Sequence, residues 1–423
     1  MAVAFLVGLA SPAAGQGLPW AKTAEDVGVS TVRLRGLTDR LREGVRGGEI
    51  PGAVAIVVRN GKVVYFESFG FRDREARASM KVDSIFRIAS MTKPVVSLAV
   101  MMLAEEGRLS IAEPASKYLP ELKDLKVGVE RRRDDGAVEL ELVPARREMT
   151  IHDLLRHTSG LTYGVFDDSA VDRMYLAANV TDGGQTNAEL VSKLAKLPLK
   201  HQPGTTWEYS LSTDVLGRLV EVVSGQALDE FVAERITGPL KMPDTGFHVD
   251  DSRRDRVAQP MVDPRTGRRM ALRRVDERPR WLSGGGGMLS TAADYARFGQ
   301  FWLNGGQLDG VRLLSRKSVE LMTANHLPPG TAFTPAVNPG WGEMAPSPEA
   351  GQGFGLGFAT RRGAGGNPLH GSSMEYYWAG AMGTSFVIDP AERLVAVLMI
   401  QAPAQMAPYR AMMRQHVAAA LVD

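Results

Sequence analysis

Residues 87–96 read Arg87-Ile88-Ala89-Ser90-Met91-Thr92-Lys93-Pro94-Val95-Val96. One serine and one lysine sit two residues apart in apolar company, and a proline follows. Proline is tolerated only in the first turn of a helix, where its missing N–H costs little, so a helix must begin near Ser90. Ser90 and Lys93, at i and i+3, then share one face. Val95, Leu98, Ala99, Met102 and Leu103 supply apolar surface for burial. The serine oxygen would lie near a helix N-terminus, where free N–H groups favour negative charge. A lysine held between apolar surface and that positive end has its cation disfavoured and can act as a base. The chemistry implied is proton transfer from Ser90 to Lys93 and attack of the serine on a carbonyl. The pattern alone is weak: 12 lysines and 24 serines in 423 residues give roughly 0.7 chance matches. A structural helix with a snorkelling lysine is the competing reading.

Outward from this stretch, Leu34, Leu37, Leu41 and Val45 recur at helical spacing within residues 30–47. Two β-branched runs then flank Asn60-Gly61, a hairpin signal because both residues tolerate positive φ. A second pair of strands surrounds the Asp389-Pro390 turn near the other end, and a helix is expected from about Ala407 to Leu421. The middle reads as mainly helical. Thr150 and Asp153 form a capping box. Val215, Leu216, Leu219, Val220 and Val223 share one helical face, with Gly225 as its stop. The charged run from Val127 to Val143 reads as a solvated β-hairpin with an Asp135-Gly136 turn, not as a basic patch. The order predicts an α+β fold, with an antiparallel sheet and segregated helices. Residues 25–110 and 265–423 would form the α/β domain, and residues 111–264 a mainly helical insertion.

Composition narrows the function. The net charge of +2 argues against a nucleic-acid partner, which needs a concentrated basic face. With no cysteine, disulfides, thiol catalysis and cysteine-ligated zinc are all excluded. The start, Met1 to Gly17, resembles a signal-peptide core with a cleavage region at Ala13-Ala14-Gly15, though it lacks a basic start. Residues 1–20 are therefore expected to be a leader, and a periplasmic or secreted location is preferred over a cytoplasmic one. No later apolar run approaches the roughly 20 residues that span a membrane. No Gly-x-Ser-x-Gly is present, so the nucleophile elbow of an α/β-hydrolase is not available. The seven histidines, His152, His157, His201, His248, His326, His370 and His416, form no metal-ligand spacing. Neither a metal nor a cofactor is expected. The glycine run in residues 283–294 lacks Gly-Lys-Ser/Thr and reads as a tight loop before a helix capped by Thr291 and Asp294.

Five segments occur in the order seen in serine β-lactamase-like proteins: "RIASMTKPVVSLAVMMLAEEGRLSI", "MTIHDLLRHTSGLTYG", "WEYSLSTDVLGRLVEVVSG", "GGGGMLSTAADYARF" and "YWAGAMGTSFVIDP". From about residue 25 onward the chain resembles the family VIII carboxylesterases, which are similar in fold to class C β-lactamases and DD-peptidases. The resemblance implies Ser90 as nucleophile, Lys93 as its neighbouring base and Tyr209 as the tyrosine that shares proton transfer. It implies an oxyanion hole from the Ser90 and Ala381 N–H groups. The usual Lys-Thr-Gly strand motif reads Trp378-Ala379-Gly380 here, with His370-Gly371-Ser372 as a rival for that slot. Two departures bear on substrate. Trp378 stands where related β-lactamases carry a lysine, and Leu211 where Tyr-x-Asn has its asparagine. Both remove polar partners for an acylamino acid. The expectation is therefore a serine esterase acting on small, short-chain esters, with Trp378 as an apolar wall of the site. A β-lactamase or D-amino-acid peptidase, an acyltransferase and a non-catalytic penicillin-recognising sensor are the alternatives. The sequence leaves the oligomeric state open.

Overall fold

The structure is a computed structural model, and it describes residues 17–134, 136, 138–263, 267–270, 272–334, 346–363 and 365–423. Its centre is an antiparallel sheet of eight strands, built from both ends of the chain. The strands are β1 (Gly52–Arg59), β2 (Lys62–Asp73), β3 (Ala78–Ser79), β4 (Gln352–Phe354), β5 (Ala359–Arg361), β6 (Tyr376–Ala379), β7 (Ser385–Asp389) and β8 (Leu394–Ile400). Their order across the sheet is β4-β5-β6-β7-β8-β1-β2-β3. The β1–β2 hairpin turns at Asn60 and Gly61, with φ of 53° and 73°, the positive values that the dipeptide predicts. Asp389 closes the β7–β8 turn by accepting from the N–H groups of Ala391 and Glu392.

Every residue of β1 and of β8 is buried, so both faces of the sheet must be covered. Helix α1 (Thr31–Arg46), capped by Ser30, covers one. Its Thr38 hydroxyl meets Tyr65 on β2. Tyr65 is paired through Val57 to Ala396, so all three residues share that face. The C-terminal helix (Met406–Ala419) packs beside α1. Val395, which points the other way, meets Gly299 in the helix Ala292–Leu303. There a Cβ on the glycine would lie 2.5 Å from the valine side chain.

Helix α2 (Thr92–Glu105) departs from the expected amphipathic pattern. All twelve residues from Thr92 to Leu103 are buried. It is a central helix enclosed on all sides, which explains why its apolar residues are not confined to one stripe. It packs against α3 (Ser212–Ser224), which ends at Gly225 in a left-handed conformation. The Thr150/Asp153 capping box is present, but the helix it opens runs only from Ile151 to Leu155. His157 then takes a left-handed φ of 59°. The charged hairpin forms as Lys126–Arg132 and Val138–Pro144, and Asp135 of its turn lies outside the described residues.

Most of the expected leader, residues 1–20, lies outside the described residues: Met1 to Gln16, including Ala13-Ala14-Gly15. The stretch that follows belongs to the fold: Leu18 is buried, the Val63 N–H donates to Pro19 O, and Ala21 N–H to Val63 O. Edge pairing along β2 gives residues 19–21 backbone partners that their sequence does not announce. No helix among the described residues is long and apolar enough to cross a membrane.

Candidate active site

The site forms where the start of α2, the end of β6 and two connecting segments converge. Ser90 lies in a 3-10 turn, Ala89–Met91, immediately before α2, and Pro94 falls in the helix's first turn. Ala89 carries a positive φ of 43°. For a residue with a Cβ this conformation costs about 1–3 kcal/mol and must be held by its surroundings. The neighbouring contacts do that. Tyr295 donates its hydroxyl to Met91 O at 2.8 Å, Met288 N–H donates to the Thr92 hydroxyl at 3.1 Å, and Phe86-Arg87 pairs with Leu289-Ser290.

Lys93 is completely buried and Ser90 is 8% exposed. Lys93 Nζ donates to Ser90 Oγ at 3.3 Å, to the Tyr163 hydroxyl at 3.1 Å and to Gly285 O at 2.8 Å. It also sits 4.4 Å from the Tyr209 ring centroid. Burial pushes the ammonium's pKa down to about 7, while the Asp214 charge acts in the opposite direction. Near neutrality the amine is therefore available to accept a proton.

Tyr209 is buried beside this pair. Burial raises its phenol above the usual range, and its contacts with Ser90 and Trp378 pull it partly back. The ring packs against those of Tyr163 at 5.5 Å, Trp378 at 5.5 Å and His157 at 5.0 Å. Phe166 lies 6.0 Å away on the same ring. Glu208, the residue before it, is fully buried and pinned by Lys200 at 3.3 Å, the Thr162 hydroxyl at 3.0 Å and the Thr334 hydroxyl. His157 Nδ1 accepts from Ser210 N–H at 3.3 Å. Burial, with Lys93 nearby, depresses the histidine's pKa well below its ordinary value, so the ring is a neutral support.

The Trp378-Ala379-Gly380 segment ends β6 against the Ser90 turn. A Cβ on Gly380 would lie 2.3 Å from Ile88 O and 2.4 Å from the Thr384 hydroxyl, so only glycine permits this approach. The next residue, Ala381, is exposed, and neither its N–H nor that of Ser90 donates to another group among the described residues. His370-Gly371-Ser372 lies before the start of β6, beside Glu375 and Arg414, and so at the far end of the strand. Trp378 itself is fully covered, packed between Tyr209 and Phe354. It lies behind the tyrosine and is not an open wall, so its influence on the site passes through Tyr209. Leu211 is buried at the N-cap of α3 and offers no polar atom beyond its backbone.

Sequence reasoning missed Tyr163, Asp214 and Gly285. Tyr163 lies two residues after the "TSGL" stretch, and its hydroxyl supplies Lys93 with a side-chain oxygen that Leu211 cannot offer. The glycine run has the composition of a tight turn, yet none of Gly284 to Gly287 has positive φ. Gly284, Gly285 and Gly287 are small because other groups approach closely: a Cβ on Gly284 would lie 2.5 Å from Thr213 O, and one on Gly285 would lie 2.3 Å from Asp214 Oδ2. A glycine run against a helix start was the available signal, but nothing local said which helix.

A family model described as Beta-lactamase matches residues 37–420. Protein Rv1367c of Mycobacterium tuberculosis is 37% identical over 381 residues, covering 88% of this chain and 90% of that protein. Esterase EstB of Burkholderia gladioli is 32% identical over 379 residues, covering 84% and 87% respectively. Among solved structures, "EstCE1, a hydrolase with promiscuous acyltransferase activity" superposes with a TM-score of 0.74 at 24% identity, covering 91% of this chain and 98% of its own; at that identity the likeness speaks for the fold alone. Together with the antiparallel sheet and the Ser90–Lys93 pair at the head of a buried helix, these matches establish that the chain belongs to the beta-lactamase family, as a serine hydrolase of that fold.

Proposed function

We propose that the protein is a serine carboxylesterase that cleaves small, neutral, short-chain esters through an acyl-enzyme on Ser90. The observation that carries this reading is the buried Lys93 amine, 3.3 Å from Ser90 Oγ and poised near neutral pH. Neutral Lys93 takes the hydroxyl proton as Ser90 Oγ bonds to the ester carbonyl carbon. The oxyanion that develops lies between the N–H groups of Ser90 and Ala381, whose donors are uncommitted among the described residues. The Lys93–Tyr209 pair returns the proton to the leaving alkoxide. Water, deprotonated by the same pair, then releases the acid and regenerates Ser90.

The preference for esters over β-lactams rests on the surroundings of Tyr209. Aromatic rings from Tyr163, Phe166, Trp207 and Trp378 enclose it, and Leu211 replaces an amide. A substrate carboxylate brought here without a cation would be desolvated at a cost of several kcal/mol. The relative named an esterase supports the same choice. The test is turnover of p-nitrophenyl butyrate beside nitrocefin at one pH and salt concentration. A higher kcat/KM for the ester is expected, and a preference for nitrocefin would replace this reading with the lactamase one. The same acyl-enzyme can be intercepted by an alcohol in place of water, which makes acyl transfer a second outcome. Added short alcohols should then divert part of the product to a new ester.

A further inference from the structure

We infer that Asp214 is the positioning residue that sets the protonation of Lys93, acting through Gly285 and beside Tyr163. The inference rests on the serine-hydrolase reading above.

Asp214 lies in the first turn of α3, five residues after Tyr209, and is 1% exposed. Its Oδ1 accepts from the Ser283 hydroxyl at 2.5 Å and from Gly285 N–H at 3.1 Å. The carbonyl of that same glycine accepts from Lys93 Nζ at 2.8 Å. One residue thus connects the carboxylate to the lysine, and displacing Asp214 would displace the acceptor that aims the amine. Oδ2 has no hydrogen-bond partner among the described residues. It points to the same side of Gly285 as the Tyr163 hydroxyl: those two oxygens are the nearest atoms of each residue to the position of a Cβ on Gly285, at 2.3 and 2.9 Å. Tyr163 in turn contacts Nζ.

A buried carboxylate oxygen without a donor is costly, and an amide would serve the Oδ1 contacts equally well. What only the acid supplies is charge. The groups that face Lys93 are Asp214 from α3, Tyr163 from the segment after His157, Tyr209 and Ser90, with neutral His157 behind. Of these, Asp214 alone can be negative when Lys93 becomes an ammonium during the removal of the Ser90 proton. Its field stabilises that ammonium in surroundings of low dielectric. Burial raises the Asp214 carboxyl above its ordinary range and Lys93 brings it down, so the two groups titrate as a coupled pair.

Asp214→Asn keeps the Oδ1 acceptor and removes the charge. Its kcat/KM against pH for p-nitrophenyl butyrate is compared with wild type, together with the pH dependence of Ser90 labelling by a fluorophosphonate. Without the negative field Lys93 loses its proton more easily and is a weaker base. The rising limb of both profiles should therefore move to lower pH by roughly one unit, and the plateau should fall about tenfold. Thermal stability should be kept or raised. Ser283→Ala, at a half-buried position, removes one donor from the carboxylate and should shift the limb in the same direction by less. It also keeps the test open if the asparagine variant folds poorly. Limbs that stay at the wild-type pH in both variants would overturn the inference, whether or not the plateau falls. Wild-type protein that neither turns over an ester nor takes the label would instead overturn the esterase reading.

Discussion

Replacing Lys93 by methionine separates the two consequences of burying an amine. The side chain is closed off from solvent, and its pKa falls from 10.5 to about 7. In the unfolded chain it returns to its ordinary value. Between pH 7 and 10.5 the unfolded state therefore binds more protons than the folded one, and wild-type stability rises with pH across that window. Below pH 7 the full penalty is present. Evaluated from these two pKa values, the penalty is about 4 kcal/mol at pH 7 and about 2 kcal/mol at pH 9. Methionine has no proton to lose, so wild type should gain about 2 kcal/mol on Lys93→Met over those two units. Methionine cannot make the lysine's hydrogen bonds to Gly285 O and Tyr163. Those are worth about 1 kcal/mol each, do not depend on pH in this range, and leave the slope intact. Urea unfolding of both proteins at pH 7, 8 and 9 measures it. Parallel stability curves would mean that Lys93 keeps an ordinary pKa in the fold. It would then be charged at neutral pH, and its role as a base would fall with it.

Ser90→Ala should abolish both ester turnover and fluorophosphonate labelling, read by mass spectrometry of the intact protein; undiminished turnover would move the nucleophile elsewhere. Tyr209→Phe and Lys93→Ala should each lower kcat by several orders of magnitude, and the double variant should lose little more than either, because the pair acts as a unit. Additive, modest losses would point to packing roles. Gly285→Ala places a methyl group 2.3 Å from Asp214 Oδ2. It should lower kcat far more than it lowers the melting temperature, and an unchanged kcat would show that the glycine's carbonyl does not aim Lys93.

Local pattern was enough to place much of the fold. The two hairpins, the start of α2 imposed by Pro94, the capping box at Thr150 and the stop at Gly225 each depend on backbone preferences within a few residues, so they can be read without knowing what packs where. The order of five motifs likewise led to Ser90, Lys93 and Tyr209. Other features were decided only by contacts between distant segments. Burial of α2 on every side requires distant segments, α3 and the helix Leu228–Val232 among them, to pack against it. Trp378 became the backing of Tyr209 because β6 runs behind that ring. Residues 19–21 joined the fold because β2 offered an edge. Above all, Tyr163, Asp214 and Gly285 come from three separate segments, and each alone looks like a loop tyrosine, a helix-start acid and one of four glycines. Only close packing, which admits no Cβ at Gly285, brings them around one amine and lets burial set its proton affinity.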